Sequence, residues 1–268
     1  TPPAGVPGGP CRPSEVKALV SLHSFRTPAA GFSIHARASA APPAIPAGGL
    51  PVVLVHGYGV SGSYLLPIAR RLAADWPVFI PDLPGHARSG SPKKTLDIPE
   101  LAEVLRAWMD AVGIRRAVLL GNSMGCQIVA ELALRHPERV DRLVLVGPTL
   151  APELRTLWKL LPRFLWTAFW ERKPLIPLVI WDFLRAGPRV LIAELKAVFA
   201  DPVEDKLPLL TVPALVLRGE HDHIVPRRFA EEVARSLGTG LLVVPGAGHG
   251  LPMEQPGLVN GRVLRLLG

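Results

Sequence analysis

The sequence predicts an α/β domain built on an eight-stranded, mostly parallel sheet, with helices on both faces and a helical segment inserted after the sixth strand. Three observations carry that expectation. From Pro51 onward, short continuously apolar runs alternate with amphipathic stretches, the pattern of parallel strands buried on both faces and joined by crossover helices. Between Pro148 and Asp205 that rhythm stops and a segment rich in tryptophan and phenylalanine replaces it. The chain is 268 residues long and 49% apolar, enough for one large domain with its own core.

Taken in order, residues 1–14 are rich in proline and glycine and are expected to form a flexible arm. Residues 16–25 and 32–38 read as an antiparallel hairpin around the turn Thr27-Pro28-Ala29-Ala30-Gly31. Parallel strands are expected at 52–55, 78–81, 117–120, 143–146, 214–217 and 241–244, and helices near 63–75, 97–112, 124–136, 226–237 and 254–267. The core then comprises 15–148 and 206–268, and residues 149–205 form a helical cap. That segment carries Trp158, Trp166, Trp170 and Trp181 together with Phe164, Phe169, Phe183 and Phe199. Four tryptophans exceed what a pair of helices needs for packing, so they are expected to line a substrate pocket.

Bulk properties exclude several function classes. Thirty Lys and Arg against 22 Asp and Glu give a formal charge of +8. The basic pairs Arg70-Arg71, Lys93-Lys94, Arg115-Arg116 and Arg227-Arg228 are scattered and not interleaved with aromatics, which is the pattern of a solvated surface and not of a nucleic-acid site. Cys11 and Cys126 are too few and too differently placed for a disulfide framework or a metal site, so no metal is expected, and Cys126 reads as a small core residue. No strand is followed by a phosphate-binding glycine motif, which leaves no nucleotide or other cofactor implied. No transmembrane segment is expected either. Pro174 and Pro177 interrupt the nearest apolar run, well short of the roughly 18 residues a span needs. The expectation is a soluble monomer or homodimer, cytoplasmic rather than secreted.

The chemistry-bearing motif is Gly121-Asn122-Ser123-Met124-Gly125, directly after an apolar strand and directly before a helical stretch. A strand that turns at once into a helix holds its turning residue in a strained conformation, and small neighbours let the two elements approach. This presents the Ser123 hydroxyl at a helix N-terminus, where the N–H of Met124 can stabilise an oxyanion. A serine needs a base, an acid to orient that base and a second oxyanion donor. His249, in Gly248-His249-Gly250 beyond the last strand, is the candidate base. Asp222, 27 residues earlier at the end of another strand, is the candidate orienting acid, with Glu220 as its local rival. His56-Gly57-Tyr58-Gly59 follows the first parallel strand, so the N–H of Tyr58 is expected to point at the same spot as that of Met124, with Gly57 beside the substrate. The other histidines read as structural, and Asp82 as ordering the Leu83-Pro84-Gly85-His86 turn.

With those motifs in the order Ser, Asp, His, and with Asp82 to Ser89 between them, the chain from about residue 15 to its end resembles the α/β-hydrolase superfamily. The resemblance implies Ser123 as nucleophile, His249 as general base and then acid, Asp222 as its orienter, and Tyr58 with Met124 as oxyanion donors. The elbow also resembles that of carbon-carbon bond hydrolases acting on ring-cleavage products, which continue with glycine where this chain has Cys126 and carry tryptophan where it has Gly250. Haloalkane dehalogenases and epoxide hydrolases require a carboxylate at the elbow, and Ser123 excludes both. The expected function is serine hydrolysis of small-molecule carboxylic esters with apolar or aromatic groups. Carbon-carbon, lactone or amide hydrolysis by the same triad is the alternative, and a ligand-binding receptor with little turnover is the alternative from another class.

Overall fold

The computed structural model describes residues 20–40, 49–171 and 173–267. The expected arm at 1–14 and the beginning of the expected core at 15–19 lie outside the described residues. Eight strands form one sheet: β1 (His23–Ala29), β2 (Phe32–Ala38), β3 (Val52–Val55), β4 (Val78–Pro81), β5 (Ala117–Ser123), β6 (Val140–Pro148), β7 (Ala214–Gly219) and β8 (Leu241–Val244). They stand in the order β1-β2-β4-β3-β5-β6-β7-β8. β1 and β2 are antiparallel to their neighbours, and every pair from β4 to β8 is parallel.

Helices α1 (Leu66–Leu72), α2 (Ile98–Ala111), α3 (Met124–Arg135), α7 (Arg227–Ser236), α8 (Leu251–Glu254) and α9 (Pro256–Leu267) surround the sheet. α2 and α7 each bury one apolar stripe, whereas α3 is buried all round from Met124 to Ala133. Alternate strand residues divide between two cores: Val53, Phe79 and Leu119 pack with Leu105, Trp108, Ile128 and Phe229 on one face, while Val52, Ile80 and Leu120 pack with Ile68, Leu72, Val259 and Val263 on the other. β3 and β4 are buried at every position, which is why they read as unbroken apolar runs. α2 starts at a capping box, Asp97 accepting from the Glu100 N–H while Glu100 reaches back to the Asp97 N–H, a device worth about 1 kcal/mol.

The hairpin differs from expectation. Its turn is only Ala30-Gly31, both at positive φ (47° and 80°), the two-residue geometry that suits twisted antiparallel strands. Thr27, Pro28 and Ala29 therefore belong to the ladder, Pro28 opposite Ser33. Pro28 is tolerated because β1 is the sheet edge. The predicted first strand accordingly ends later than expected, and Val20 to Leu22 lie outside it.

Between β6 and β7 run α4 (Leu157–Trp170), α5 (Leu175–Ala200) and α6 (Val203–Lys206). α5 is broken at Gly187, whose backbone leaves the helix at φ 75° and ψ 164°, and Pro188 follows the break. Among the described residues, no helix is long and apolar enough to cross a membrane.

Candidate active site

The strand β5 runs into α3 at Ser123, whose φ of 55° and ψ of −123° lie outside the conformations side chains favour, a strain of about 1–3 kcal/mol. The sequence tolerates this because the two flanking glycines remove the clash. A Cβ on Gly121 would sit 2.6 Å from the Gly125 carbonyl, and one on Gly125 would sit 2.4 Å from the Val55 oxygen. Asn122 is pinned behind the turn, accepting from the Tyr64 hydroxyl at 2.7 Å and donating to the Val146 carbonyl at 2.9 Å. Cys126 is buried one turn along α3, and burial pushes its thiol up to about 12, the behaviour of a core residue. Ser123 Oγ itself makes no hydrogen bond among the described residues, and Ser123 lines a cavity.

Asp222 and His249 come together from the loops after β7 and β8. The ring donates from Nδ1 to Asp222 Oδ2 at 2.8 Å. Asp222 is fully buried, and its other oxygen accepts from the N–H groups of Ile224 and Val225 at 3.0 and 2.9 Å. Arg218 clamps the same loop by donating to the carbonyls of Val225, Gly219 and Asp222. Burial alone would lower the His249 pKa. The Asp222 charge and hydrogen bond outweigh it and raise the value above 6.5. The rival Glu220 is exposed and instead accepts from Gly246 N–H, shaping the next turn. Gly147, which sequence reasoning passed over, makes the space for the pair. Its φ is 54°, and a Cβ there would lie 3.0 Å from His249 Nδ1 and 3.1 Å from Asp222 Oδ2.

The loop after β3 supplies the third side of the site. His56 is buried, with Nδ1 3.0 Å from the Gly57 carbonyl and Nε2 accepting from Leu83 N–H at 2.9 Å, so it braces two loops. Its pKa is lowered to about 4, chiefly by burial and then by His86. Gly57 lines the cavity against Ser123 and spends its N–H on the Tyr64 hydroxyl. The N–H groups of Tyr58 and Met124 are used by no hydrogen bond among the described residues, and both residues line the cavity. Asp82 does more than order its own turn: it accepts from His35 Nδ1 at 2.6 Å, Arg37 at 3.2 Å and Gly62 N–H at 2.8 Å, joining the hairpin to the loop after β3.

The cavity measures about 360 Å³, and its walls are mainly aliphatic with two phenyl rings nearby, among them Leu150, Leu160, Phe164, Val179, Phe183 and Leu195. The expectation that the four tryptophans line it is corrected here. Trp158, Trp166, Trp170 and Trp181 are 83%, 56%, 44% and 60% exposed and none reaches the cavity. Apolar periodicity does not say which stripe of a helix faces inward: Leu160, Phe164, Val179 and Phe183 reach the cavity, whereas Trp166 and Trp170 pack on His223 and His221 and Trp158 and Trp181 are mostly exposed.

Three acids of the insertion do face inward, and sequence reasoning missed all three. Glu171 Oε1 accepts from Gly250 N–H at 2.9 Å. Asp182 accepts from both the N–H and the hydroxyl of Ser61 at 2.8 Å. Glu194 accepts from Gly59 N–H at 3.0 Å and pairs with His86 Nε2 at 2.6 Å. Burial, then the charge of Glu254, pushes the Glu171 carboxyl up to about 8. The available signal was that these are the only acids between residues 154 and 200, a long apolar and cationic stretch. Among the described residues, no group of three or more His, Cys, Asp or Glu could hold a metal ion.

Comparison with known proteins fits this geometry. The chain is 31% identical over 240 residues to the dihydrolipoyllysine-residue acetyltransferase component of the acetoin cleaving system of Pseudomonas putida, an alignment covering 82% of this chain but only 64% of that relative's length. It is 27% identical over 244 residues to RutD of Caulobacter sp. (strain K31), named for carbamate hydrolysis, covering 81% of this chain and 90% of the relative. A thermophilic esterase from Thermogutta terrifontis superposes with a TM-score of 0.77 over 91% of this chain and 98% of its own, at 24% identity, a likeness of fold. The model of the alpha/beta hydrolase family matches residues 52–262, the stretch that holds the parallel sheet, the elbow and the Asp222–His249 pair, and the chain belongs to that family.

Proposed function

We propose that this chain is a serine hydrolase that cleaves carboxylic esters with apolar acyl or alcohol groups, with Ser123, His249 and Asp222 as its triad and residues 149–205 as a cap. The observation that carries the proposal is a strained serine facing an apolar cavity whose wall also holds an imidazole bonded to a buried carboxylate. With Nδ1–H committed to Asp222, neutral His249 keeps its Nε2 lone pair for a proton. Ser123 Oγ attacks the ester carbonyl carbon as Nε2 takes the hydroxyl proton. The N–H groups of Tyr58 and Met124 receive the resulting oxyanion. The imidazolium then gives its proton to the departing alcohol, leaving an acyl-serine. Water attacks that acyl carbon while His249 removes its proton, and Ser123 recovers a hydrogen as the acid leaves. The Ser123–His249 hydrogen bond is expected to form as substrate binds, since such bonds commonly tighten only in the complex.

The apolar walls favour hydrocarbon groups on the ester. Position 250 speaks against carbon-carbon hydrolysis: where the resembling enzymes carry tryptophan, a Cβ would meet Leu175 Cδ2 at 2.3 Å and Glu171 Oε2 at 2.6 Å, so cap side chains occupy that space. The likeness to RutD puts carbamates into the same test. A panel of p-nitrophenyl esters, lactones, carbamates, amides and vinylogous diketones is expected to show the highest kcat/KM for apolar esters. Ser123→Ala is expected to lower ester turnover by about 10⁴-fold or more with an unchanged circular dichroism spectrum. Unaltered turnover eliminates the mechanism. A fluorophosphonate probe is expected to label Ser123, and tight ligand binding without labelling assigns the chain to the receptor class.

A further inference from the structure

The outer face of α4 and α5 is unlike the rest of the surface. Of the 14 large apolar side chains exposed among the described residues, 12 lie on these two helices, led by Trp158 (83%), Phe169 (78%), Leu184 (73%) and Trp181 (60%). Exposed apolar residues scattered singly are ordinary, whereas a contiguous group of this size marks an interaction surface. The charges on the same helices and the turn joining them are one-sided. Lys159, Arg163, Lys173, Arg185, Arg189 and Lys196 are all exposed, and the three acids, Glu171, Asp182 and Glu194, are turned inward. None of the six cations meets a carboxylate among the described residues; Arg163, Arg185 and Arg189 each donate to a backbone carbonyl, of His223, Ala87 and Lys93, and keep their charge uncompensated. A water-facing helix of the same chain behaves differently: on α7, Arg227 and Arg228 pair with Glu231 and Glu232.

We propose that this face docks on an anionic lipid bilayer, and that the cavity takes an ester-bearing amphiphile from that surface. Tryptophan at a boundary between apolar and aqueous phases, flanked by lysine and arginine, is the composition that holds a helix in the headgroup region. Unbalanced cations supply attraction to anionic headgroups. The cavity and this face share side chains, because Leu165, Ile176 and Ile180 both line the cavity and are exposed. A lipid tail entering there exchanges one apolar surface for another without crossing water. A second copy of this chain fits less well, since an isologous contact would set six cations against six. The N-terminal residues 1–19 carry Arg12, Glu15 and Lys17 as their charged side chains, a net positive segment that does not complement six cations.

The delivery of substrate rests on the ester-hydrolase reading, whereas docking does not, so both are measured. Vesicles of phosphatidylcholine alone and of phosphatidylcholine mixed with phosphatidylglycerol are sedimented with the full chain, and turnover of a water-soluble p-nitrophenyl ester is followed in parallel. Binding is expected to the mixed vesicles, weakening with added salt. Trp158→Ser with Phe169→Ser is expected to abolish it, and Lys159→Glu with Lys173→Glu to weaken it by about fivefold or more per cation removed. Both variants are expected to keep turnover of the soluble ester and to lose turnover of a long-chain ester embedded in the vesicles. Absent binding, or binding equal in wild type and variants, overturns the proposal. A dimer seen by light scattering and dissolved by the aromatic variant, with no vesicle binding, assigns the face to a second copy and overturns it too. Vesicle binding without turnover of any ester leaves docking standing and removes the hydrolase reading.

Discussion

Replacing Glu171 by glutamine is expected to stabilise the protein, and to do so more at alkaline pH. The folded carboxyl keeps its proton to about pH 8, because burial, then the Glu254 charge, oppose its ionisation. In the unfolded chain it ionises near 4.5. The folded state therefore binds the extra proton between those values, and stability falls as pH rises across that window. Integrating the linkage gives a penalty of about 1 kcal/mol at pH 5 and about 4 kcal/mol at pH 8. Glutamine has no such ionisation, and its amide oxygen can still accept from Gly250 N–H, so the exchange itself costs about 1 kcal/mol or less. Urea unfolding of both proteins at pH 5 and pH 8 reads the difference directly, with equal m-values as the check that the unfolded states match. The variant's advantage should grow by about 3 kcal/mol between the two conditions. An advantage that stays flat, or shrinks, refutes the reasoning, because it means that Glu171 is already ionised at neutral pH and serves His249 as a fixed negative charge.

Two further outcomes follow from the same geometry. Under the proposed mechanism His249 must be neutral to accept the Ser123 proton, and its pKa is raised, so kcat/KM for a soluble ester should climb with pH through a midpoint above 6.5; a midpoint at or below 6.5 contradicts the Asp222 pairing as the controlling influence. Gly147→Ala puts a methyl 3.0 Å from His249 Nδ1 at a positive φ, so it should cost about 1–3 kcal/mol of stability and, by displacing the ring a few tenths of an ångström, lower kcat/KM about tenfold or more. Wild-type kinetics in a folded Gly147→Ala protein would show that the ring has room to spare.

Sequence reads best where a single local cause dominates. β3, β4 and β8 are short apolar runs, and the structure bounds them where the hydrophobicity does. β5, β6 and β7 continue past their apolar runs into Gly121-Asn122-Ser123, Gly147-Pro148 and Arg218-Gly219. Those polar and glycine-rich ends stay in the ladder because backbone hydrogen bonds hold them, and they are where the candidate chemistry sits. Ser123, Asp222 and His249 were legible because each carries a local signature at a strand end. Glu171, Asp182 and Glu194 were not, because each meets its partner 79 to 135 residues away in the chain and looks locally like any helix charge. The tryptophans misled for a related reason, since abundance of aromatic surface does not reveal its direction.

The three inward carboxyl groups also decide how the cavity can be entered. Each accepts a backbone N–H from a loop that carries or adjoins a candidate catalytic group: Gly250 beside His249, Gly59 beside Tyr58, and Ser61 two residues further on. Thr167 adds a fourth tie by accepting from His223 N–H, next to Asp222, at 3.2 Å. Swinging the insertion away as a rigid lid would break all of these together, at about 1–3 kcal/mol for each buried group left unpaired, and would release the loops that carry the candidate oxyanion donors and the His249 imidazole. Under the proposed mechanism, opening and alignment are thus opposed. Entry past Leu165, Ile176 and Ile180, which line the cavity and are also exposed, would break none of these four ties, so the proposed mechanism favours that apolar wall over a hinged lid as the way in.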